Sequence, residues 1–215
     1  MKILATNVYV GPNLYAQFRV IRHQVDLGVL EEWPSVRLGE SFIASLMEAL
    51  PGLANHGCSY GEPGGFLRRL REEEGTWMAH IWEHAAIEMQ NMAGSNVSFG
   101  KTRGMGPPGQ YNMVFECMQK DVGLEAARIS RQLLLSLLPA ALKERLADEI
   151  EPGFDFQAER GYCYRSYFAD PGAWCNCFKV SADGPPGLWR TDRQQALDAG
   201  ETMGPTGLPP PEAPQ

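Results

Sequence analysis

Residues 76–93, TWMAHIWEHAAIEMQNMA, carry the strongest helical pattern of the sequence and decide how their neighbours are arranged. Apolar residues recur at every third or fourth position, which is the spacing of one face of an α-helix. The apolar stripe consists of Met78, Ile81, Trp82, Ala85, Met89 and Met92. Thr76 suits an N-cap and Gly94 suits a helix stop. We therefore predict a helix that packs this stripe on a core and presents its other side, rich in His and Glu, to a site.

Each flanking segment carries either a strand pattern or a helix pattern. Segments rich in β-branched and aromatic residues, or alternating in polarity, predict strands, and apolar residues at helical spacing predict helices. Strands are predicted at residues 2–10, 17–27, 96–103 and 110–118, and helices at 40–50, 65–72 and 122–149, the last broken near Leu138-Pro139. This order predicts an α/β (α+β) fold in which a mixed β-sheet is packed with helices, including the helix of residues 76–93.

The composition of the sequence changes along its length. Residues 1–150 hold the periodic segments and are expected to form the domain that carries the site. Residues 151–202 are rich in Gly, Pro and aromatic residues without a clear period, and we expect an irregular extension that packs on this domain. Residues 203–215 contain repeated prolines, which is typical of a disordered tail.

Charge and cysteine content restrict the partners and the compartment. The 215 residues carry a net charge of −7, and an acidic chain repels phosphate backbones, so a nucleic-acid partner is not expected. The sequence contains neither a bilayer-spanning apolar run nor a signal-peptide pattern, so we expect no membrane association. Five cysteines at irregular spacing favour reduced thiols and a cytoplasmic protein. These patterns leave homo-oligomer formation open.

Within the central helix, His80, Glu83 and His84 form the pattern His-x-x-Glu-His, the reverse of the more familiar metalloprotease helix motif. Histidines four residues apart lie on one face of a helix, so their imidazoles can converge on one ion. Zinc binds neutral imidazole nitrogen, and a carboxylate beside it can take a proton from water and pass it to a leaving amine. The sequence therefore predicts a Zn²⁺ site with His80 and His84 as ligands and Glu83 as the general base.

A catalytic zinc site usually has three protein ligands, so a third must come from elsewhere in the chain. Glu116, on the polar side of the strand predicted at 110–118, is our first choice. Glu88 lies roughly 12 Å along the helix axis from the first histidine, too far to share its ion, and could instead orient a ligand histidine. His56 and Cys58 are further candidates, but we favour a loop that packs near the site. The alternative for the whole motif is a solvated polar face with a His–Glu hydrogen bond.

Three segments of the sequence carry a resemblance to a known family. They are residues 51–94 (PGLANHGCSYGEPGGFLRRLREEEGTWMAHIWEHAAIEMQNMAG), residues 99–116 (FGKTRGMGPPGQYNMVFE) and Gly11-Pro12-Asn13. Together they resemble the N-terminal domain of cyanophycin synthetase, and the resemblance extends over roughly residues 1–140. The run from Gly64 to Gly94 is the most specific part.

The resemblance implies a role in the metabolism of cyanophycin, a polymer with a poly-aspartate backbone and an arginine joined to each side-chain carboxylate. In that family the N-terminal domain is associated with binding the polymer, and in some members it resembles a zinc metallopeptidase that cuts the polymer. The resemblance therefore implies that this chain is a free-standing zinc-dependent cyanophycin hydrolase. The motif would lie at His80, Glu83 and His84, and Glu116 falls in the matching strand. The sequence shows no Gly-rich phosphate-binding loop with Lys-Ser/Thr, so we do not expect polymer synthesis. Two alternatives stay open: a module that binds cyanophycin without cutting it, and a metallopeptidase for ordinary peptides.

The implied polymer presents both guanidinium groups and carboxylates, and the residues near the motif offer partners for each. Guanidinium groups are bound by carboxylates and aromatic faces, which makes Glu88 and Trp77 candidates. Lys101 and Arg103 could bind substrate carboxylates or stabilise an oxyanion. His56 completes the predicted substrate-binding set.

Overall fold

One antiparallel sheet is formed by four strands in the computed structural model, which describes residues 1–14, 16–58 and 62–160. The strands are β1 (Lys2–Tyr9), β2 (Arg19–Asp26), β3 (Gly100–Gly104) and β4 (Gln110–Cys117), in the order β1-β2-β4-β3. β1 pairs with β2, β2 with β4 and β3 with β4, each time antiparallel. The prediction of a mixed sheet is therefore wrong, because all three pairings among the described strands are antiparallel.

Seven α-helices accompany this sheet in the described part of the chain. They are α1 (Ser35–Leu38), α2 (Glu40–Ala49), α3 (Gly65–Arg71), α4 (Met78–Met92), α5 (Lys120–Ser136), α6 (Ala140–Arg145) and α7 (Phe156–Arg160), with 3-10 turns at Gly28–Glu32, Pro51–Asn55 and Ala147–Glu149. α4 and α5 pack on each other and on the sheet. The predicted α/β (α+β) class, a sheet packed with helices, is thus confirmed. None of the helices in the described ranges is long and apolar enough to cross a membrane.

The first compact unit of the chain comprises residues Met1–Phe156. The irregular extension predicted at residues 151–202 is described only as far as residue 160. The tail predicted at residues 203–215 lies outside the described residues. Both assignments stay predictions.

Helix α4 is buried on almost every side, not only along its apolar stripe. Trp82, on the stripe, has no exposed surface, and its indole N–H donates to the carbonyl oxygen of Ala127 at 2.8 Å. The opposite side is buried as well, since Glu83 is only 3% exposed and His84 only 7%. Burial of such polar groups is unfavourable unless each finds a partner. The alternative of a solvated polar face is therefore wrong, and the surrounding elements must satisfy these side chains.

His23 on β2 is part of the core between the sheet and α4. It is 2% exposed, its ring stacks on that of Trp82 with 6.0 Å between centroids, and its Nδ1 is hydrogen-bonded to the hydroxyl of Thr6 at 2.8 Å. Its Nε2 has no partner among the described residues. Burial lowers the pKa of His23 from 6.5 to about 4, because a charged ring would be poorly solvated there.

Stability should therefore fall in mild acid because of this histidine. Unfolded chains protonate His23 below pH 6.5, whereas the folded protein resists protonation until about pH 4, so stability is lost as the pH falls between these values. Between pH 7 and pH 5 we expect this group to lower the free energy of unfolding by about 2 kcal/mol. Urea denaturation of the parent and of His23→Gln at both pH values measures the effect. An unchanged pH dependence in the variant would contradict it.

Candidate metal and catalytic site

A cavity of about 950 Å³ opens beside the N-terminal half of α4. One wall is α4 itself, another is the loop at residues 55–58, and a third is the segment 96–103, which includes β3. Every residue of the His-x-x-Glu-His motif lines this cavity, as do four of the five predicted substrate-binding residues. These are His80, Glu83 and His84 from the motif, together with His56, Trp77, Lys101 and Arg103.

Three potential metal-ligating groups converge in this cavity. Nε2 of His80 lies 3.1 Å from Nε2 of His84 and 3.6 Å from Sγ of Cys58, and the ligand atoms of all three residues lie within 4.8 Å of one another. The hydroxyl of Thr76 is hydrogen-bonded to Nδ1 of His80 at 2.8 Å, which fixes the ring with Nε2 toward the group. Thr76 was predicted to cap the helix, but Trp77 is at the N-cap position, and the Thr76 side chain orients a histidine instead.

His84 is held by a chain of hydrogen bonds that leads through His56 to Glu88. Its Nδ1 lies 3.1 Å from Nδ1 of His56, and Nε2 of His56 lies 3.0 Å from Oε2 of Glu88. The ring of Phe66 stacks on that of His84 with 4.0 Å between centroids. A side chain at Gly52 would overlap the Glu88 carboxylate, so only glycine leaves room for it. The Glu88 carboxylate, predicted to contact a substrate or to orient a ligand histidine, is thus hydrogen-bonded to His56, which in turn contacts His84.

The electrostatics of the group favour neutral imidazoles. Burial lowers the pKa of His80 to about 4, with a smaller contribution from the positive charge of Arg69. Burial, followed by the neighbouring His80 and His56, holds the pKa of His84 well below its usual range. Neutral imidazole has a lone pair, and it is the form that ligates metals. Both histidines therefore have the protonation state that ligation requires at neutral pH.

Glu83 is buried beside the two histidines. Its Oε2 accepts a hydrogen bond of 2.6 Å from the hydroxyl of Thr102 on β3. Burial raises the pKa of Glu83 to about 8, although the bond from Thr102 opposes this shift. A carboxyl group with a pKa near neutrality can both accept and return a proton under working conditions. Thr102 and Arg69 were not singled out from the sequence, where neither has a pattern that distinguishes it from other surface residues.

Glu116, our first choice for the third ligand, does not belong to the converging group in the structure. Its neighbour Phe115 is buried and lies 5.7 Å, between ring centroids, from His23 in the core under α4, and strand alternation places Glu116 on the other face of the sheet. Its Oε1 accepts hydrogen bonds from the backbone N–H groups of Gln17 and Phe18, at 2.6 and 2.9 Å. The carboxylate thus anchors the segment that enters β2, which is a structural role.

The third group that the geometry offers is Cys58, for which we had favoured a packing role. Cys58 and His80 are 22 residues apart, a separation that matches no zinc-binding spacing. A short signal was nevertheless present, because His56-Gly57-Cys58 places a histidine and a cysteine in a loop just before the motif helix. Only the packing of that loop on α4 shows that both residues face the motif.

Comparisons with known proteins identify one family. Residues 22–139, more than half of the chain, match the family described as the cyanophycin synthase-like N-terminal domain. The chain is 41% identical over 140 residues to a cyanophycin synthetase of Geminocystis herdmanii, a match that covers 64% of this chain and 16% of that protein. It is 39% identical over 163 residues to a cyanophycin synthetase of Crocosphaera subtropica, covering 74% and 18% of the two chains. The matched part is less than a fifth of the length of these relatives.

The Glu83 side chain has room in its position because residue 100 is a glycine, and a substitution there tests this packing. A methyl group at Gly100 would lie 2.4 Å from Oε1 of Glu83 and 2.8 Å from Cδ1 of Ile87. We expect Gly100→Ala to lower the free energy of unfolding by about 1–3 kcal/mol, as overpacking usually does. Gly104→Ala on the same strand is the matched control, since nothing lies within 4 Å of an added methyl group there. Equal stabilities of the two variants in chemical denaturation would refute this role for Gly100.

Proposed function

The chain belongs to the cyanophycin synthase-like N-terminal domain family, and from this premise we propose that it is a zinc-dependent hydrolase that cleaves the peptide backbone of cyanophycin or a similar Asp/Arg polymer. The observation that carries the proposal is the convergence of Cys58, His80 and His84 beside the buried carboxyl of Glu83. Two neutral imidazoles, a thiol and a carboxyl of raised pKa in one cavity suit metal-assisted hydrolysis.

Two of the three separations between the donor atoms match those expected on zinc, and the third lies within 4.8 Å. Two nitrogens on a tetrahedral zinc ion are separated by ~3.3 Å, and a nitrogen and a sulfur by ~3.6 Å, given the usual bond lengths. The corresponding separations here are 3.1 Å between the Nε2 atoms of His80 and His84 and 3.6 Å between Nε2 of His80 and Sγ of Cys58. Imidazole nitrogen and thiolate sulfur are both ligands that zinc binds, and catalytic zinc sites usually have three protein ligands.

Each polar residue of the site then has a defined task. A zinc ion held by Cys58, His80 and His84 would supply Lewis-acid chemistry for the attack of water on a peptide carbonyl. Glu83 would take a proton from the attacking water and return it to the leaving amine, for which its raised pKa is suited. The hydroxyl of Thr102 donates a 2.6 Å hydrogen bond to the Glu83 carboxyl and so fixes the orientation of that group.

The relatives support the choice of polymer. They are named cyanophycin synthetases, which places the family in cyanophycin metabolism. Lys101 and Arg103 line the cavity and offer positive charge to the carboxylates of an Asp/Arg polymer. Trp77, also at the wall, offers an aromatic face to its guanidinium groups.

Release of soluble peptides from insoluble cyanophycin tests the proposal directly. We expect the zinc-loaded parent to release peptides, and a chelator to abolish the release. Glu83→Gln should lower the rate by at least ~100-fold, because general acid–base catalysis contributes on that order. Glu144→Gln, an exposed residue of α6, is the matched control and should keep the parent rate.

Absence of release by the zinc-loaded parent would overturn the hydrolase proposal. If the polymer still co-sedimented with the protein, the alternative of a cyanophycin-binding module without cleavage would take its place. If ordinary peptides were cut at rates equal to those for cyanophycin, the substrate part of the proposal would fail.

Zinc binding itself separates the two choices of third ligand. Cys58→Ser and His84→Ala each remove a ligand, so both should weaken zinc binding by more than the ~10–100-fold that even indirect partners contribute. Glu116→Gln should bind zinc like the parent, because its carboxylate holds the backbone of Gln17 and Phe18 instead. Competition with a chromophoric chelator gives the affinities. Weaker binding in Glu116→Gln than in Cys58→Ser would contradict the assignment.

A further inference from the structure

Strand β3 has one edge paired to β4, and the hydrogen-bond pattern shows which backbone groups point the other way. Antiparallel residue pairs alternate between hydrogen-bonded and non-hydrogen-bonded pairs. The N–H of Glu116 donates to the carbonyl oxygen of Phe99, and the N–H of Met105 donates to that of Gln110, both at 2.9 Å. These two bonds determine which pairs along the strand are hydrogen-bonded. Hydrogen-bonded pairs thus continue through Lys101 and Arg103, whereas the N–H and C=O groups of Gly100, Thr102 and Gly104 point away from β4.

In the described ranges, no backbone group pairs with this outer edge of β3. The edge is part of the wall of the candidate site, since residues 100–103 line the cavity. It begins immediately beside Glu83, to which Thr102 is hydrogen-bonded and against which Gly100 is packed. Two of its three outward residues are glycines, and the surroundings of Gly104 are open. An extended chain can therefore approach these backbone groups closely.

The charges along β3 indicate what kind of chain would fit. Lys101 and Arg103 are exposed and, by strand alternation, project from the opposite face of the sheet to Thr102. A strand added to this edge would therefore direct alternate side chains toward Glu83 and the others toward Lys101 and Arg103. Two cations at this spacing select side chains that end in carboxylates.

We propose that the outer edge of β3 binds an extended peptide, as an added β-strand, whose alternate side chains carry carboxylates that contact Lys101 and Arg103. This inference deepens the proposed function and rests on it, since it assigns how the substrate backbone is held beside Glu83. Main-chain hydrogen bonds to Gly100, Thr102 and Gly104 supply affinity in this mode, and the alternate side chains supply specificity. An Asp/Arg polymer meets both requirements, because each of its backbone residues bears a carboxylate-containing side chain.

Residue-resolved amide exchange tests the pairing. The zinc-loaded Glu83→Gln variant, which should bind without cutting, is saturated with a synthetic cyanophycin segment of four Asp–Arg units. When the peptide is bound, the amides of Gly100, Thr102 and Gly104 should exchange at roughly one tenth of their rate in the free protein, or more slowly still. The amides of Lys101 and Arg103 are already bonded to β4 and should not change, so adjacent residues of one strand serve as controls. Uniform protection along β3, or none, would overturn the proposal.

Substitutions at the edge test the same contacts by affinity. Gly104→Pro removes an outward N–H without breaking a bond to β4, and should weaken binding of the segment by about 2–10-fold, the usual worth of one hydrogen bond. Gly104→Ala keeps the N–H and should bind the segment more tightly than Gly104→Pro does. Arg103→Gln should weaken binding, whereas Arg145→Gln on α6 should not. Thermal melting of each variant confirms that it is folded, and equal affinities of Gly104→Pro and Gly104→Ala would overturn the proposal.

These results separate the two proposals from each other. If the parent cleaves cyanophycin but the β3 amides do not respond to the segment, the hydrolase stands and the edge pairing fails. If the three amides are protected and the parent does not cleave, the edge pairing stands and the hydrolase fails. Protection that appears without peptide and grows with protein concentration would assign the edge to a second copy of the chain, and would also overturn the pairing.

Discussion

The structure depends on the burial of the polar side of α4. A helix with His80, Glu83, His84 and Glu88 on one side would ordinarily expose them, because unpaired buried polar groups cost free energy. Here the side chains are enclosed, and their partners come from three parts of the chain: Thr76 before α4, Thr102 on β3, and His56, which contacts both His84 and Glu88. These contacts position three elements around α4: the loop that carries His56, the strand β3 and the segment before α4. The same enclosure makes the histidines neutral and raises the pKa of Glu83.

The helices and strands were largely predictable from the sequence, and so was the meeting of His80 and His84, because local periodicity determines them. Contacts between distant segments were not. Glu116 was correctly placed on a strand, but the choice of face depends on which side α4 packs, and this is a tertiary property. Cys58 was undervalued for a similar reason, since the loop it occupies shows no periodicity. The mixed sheet was wrong because pairing direction follows from connections that composition does not reveal.

The cavity combines two features that a polymer-processing enzyme needs. A group of metal-ligating atoms lies next to a carboxyl that can carry protons, and a strand edge offers backbone hydrogen bonds directly beside it. The family is one whose named members are cyanophycin synthetases, far longer than this chain. The proposed hydrolysis would require a metal, a water molecule and a chain held in an extended conformation.

The central claim is that Cys58, His80 and His84 form one metal site. Zinc-edge X-ray absorption of the zinc-loaded protein tests it most directly, because scattering from sulfur and from nitrogen is distinguishable. The expected result is one sulfur at about 2.3 Å and two imidazole nitrogens at about 2.0–2.1 Å. A coordination shell of nitrogen and oxygen alone would contradict the claim. It would indicate that a carboxylate, and not Cys58, is the third ligand.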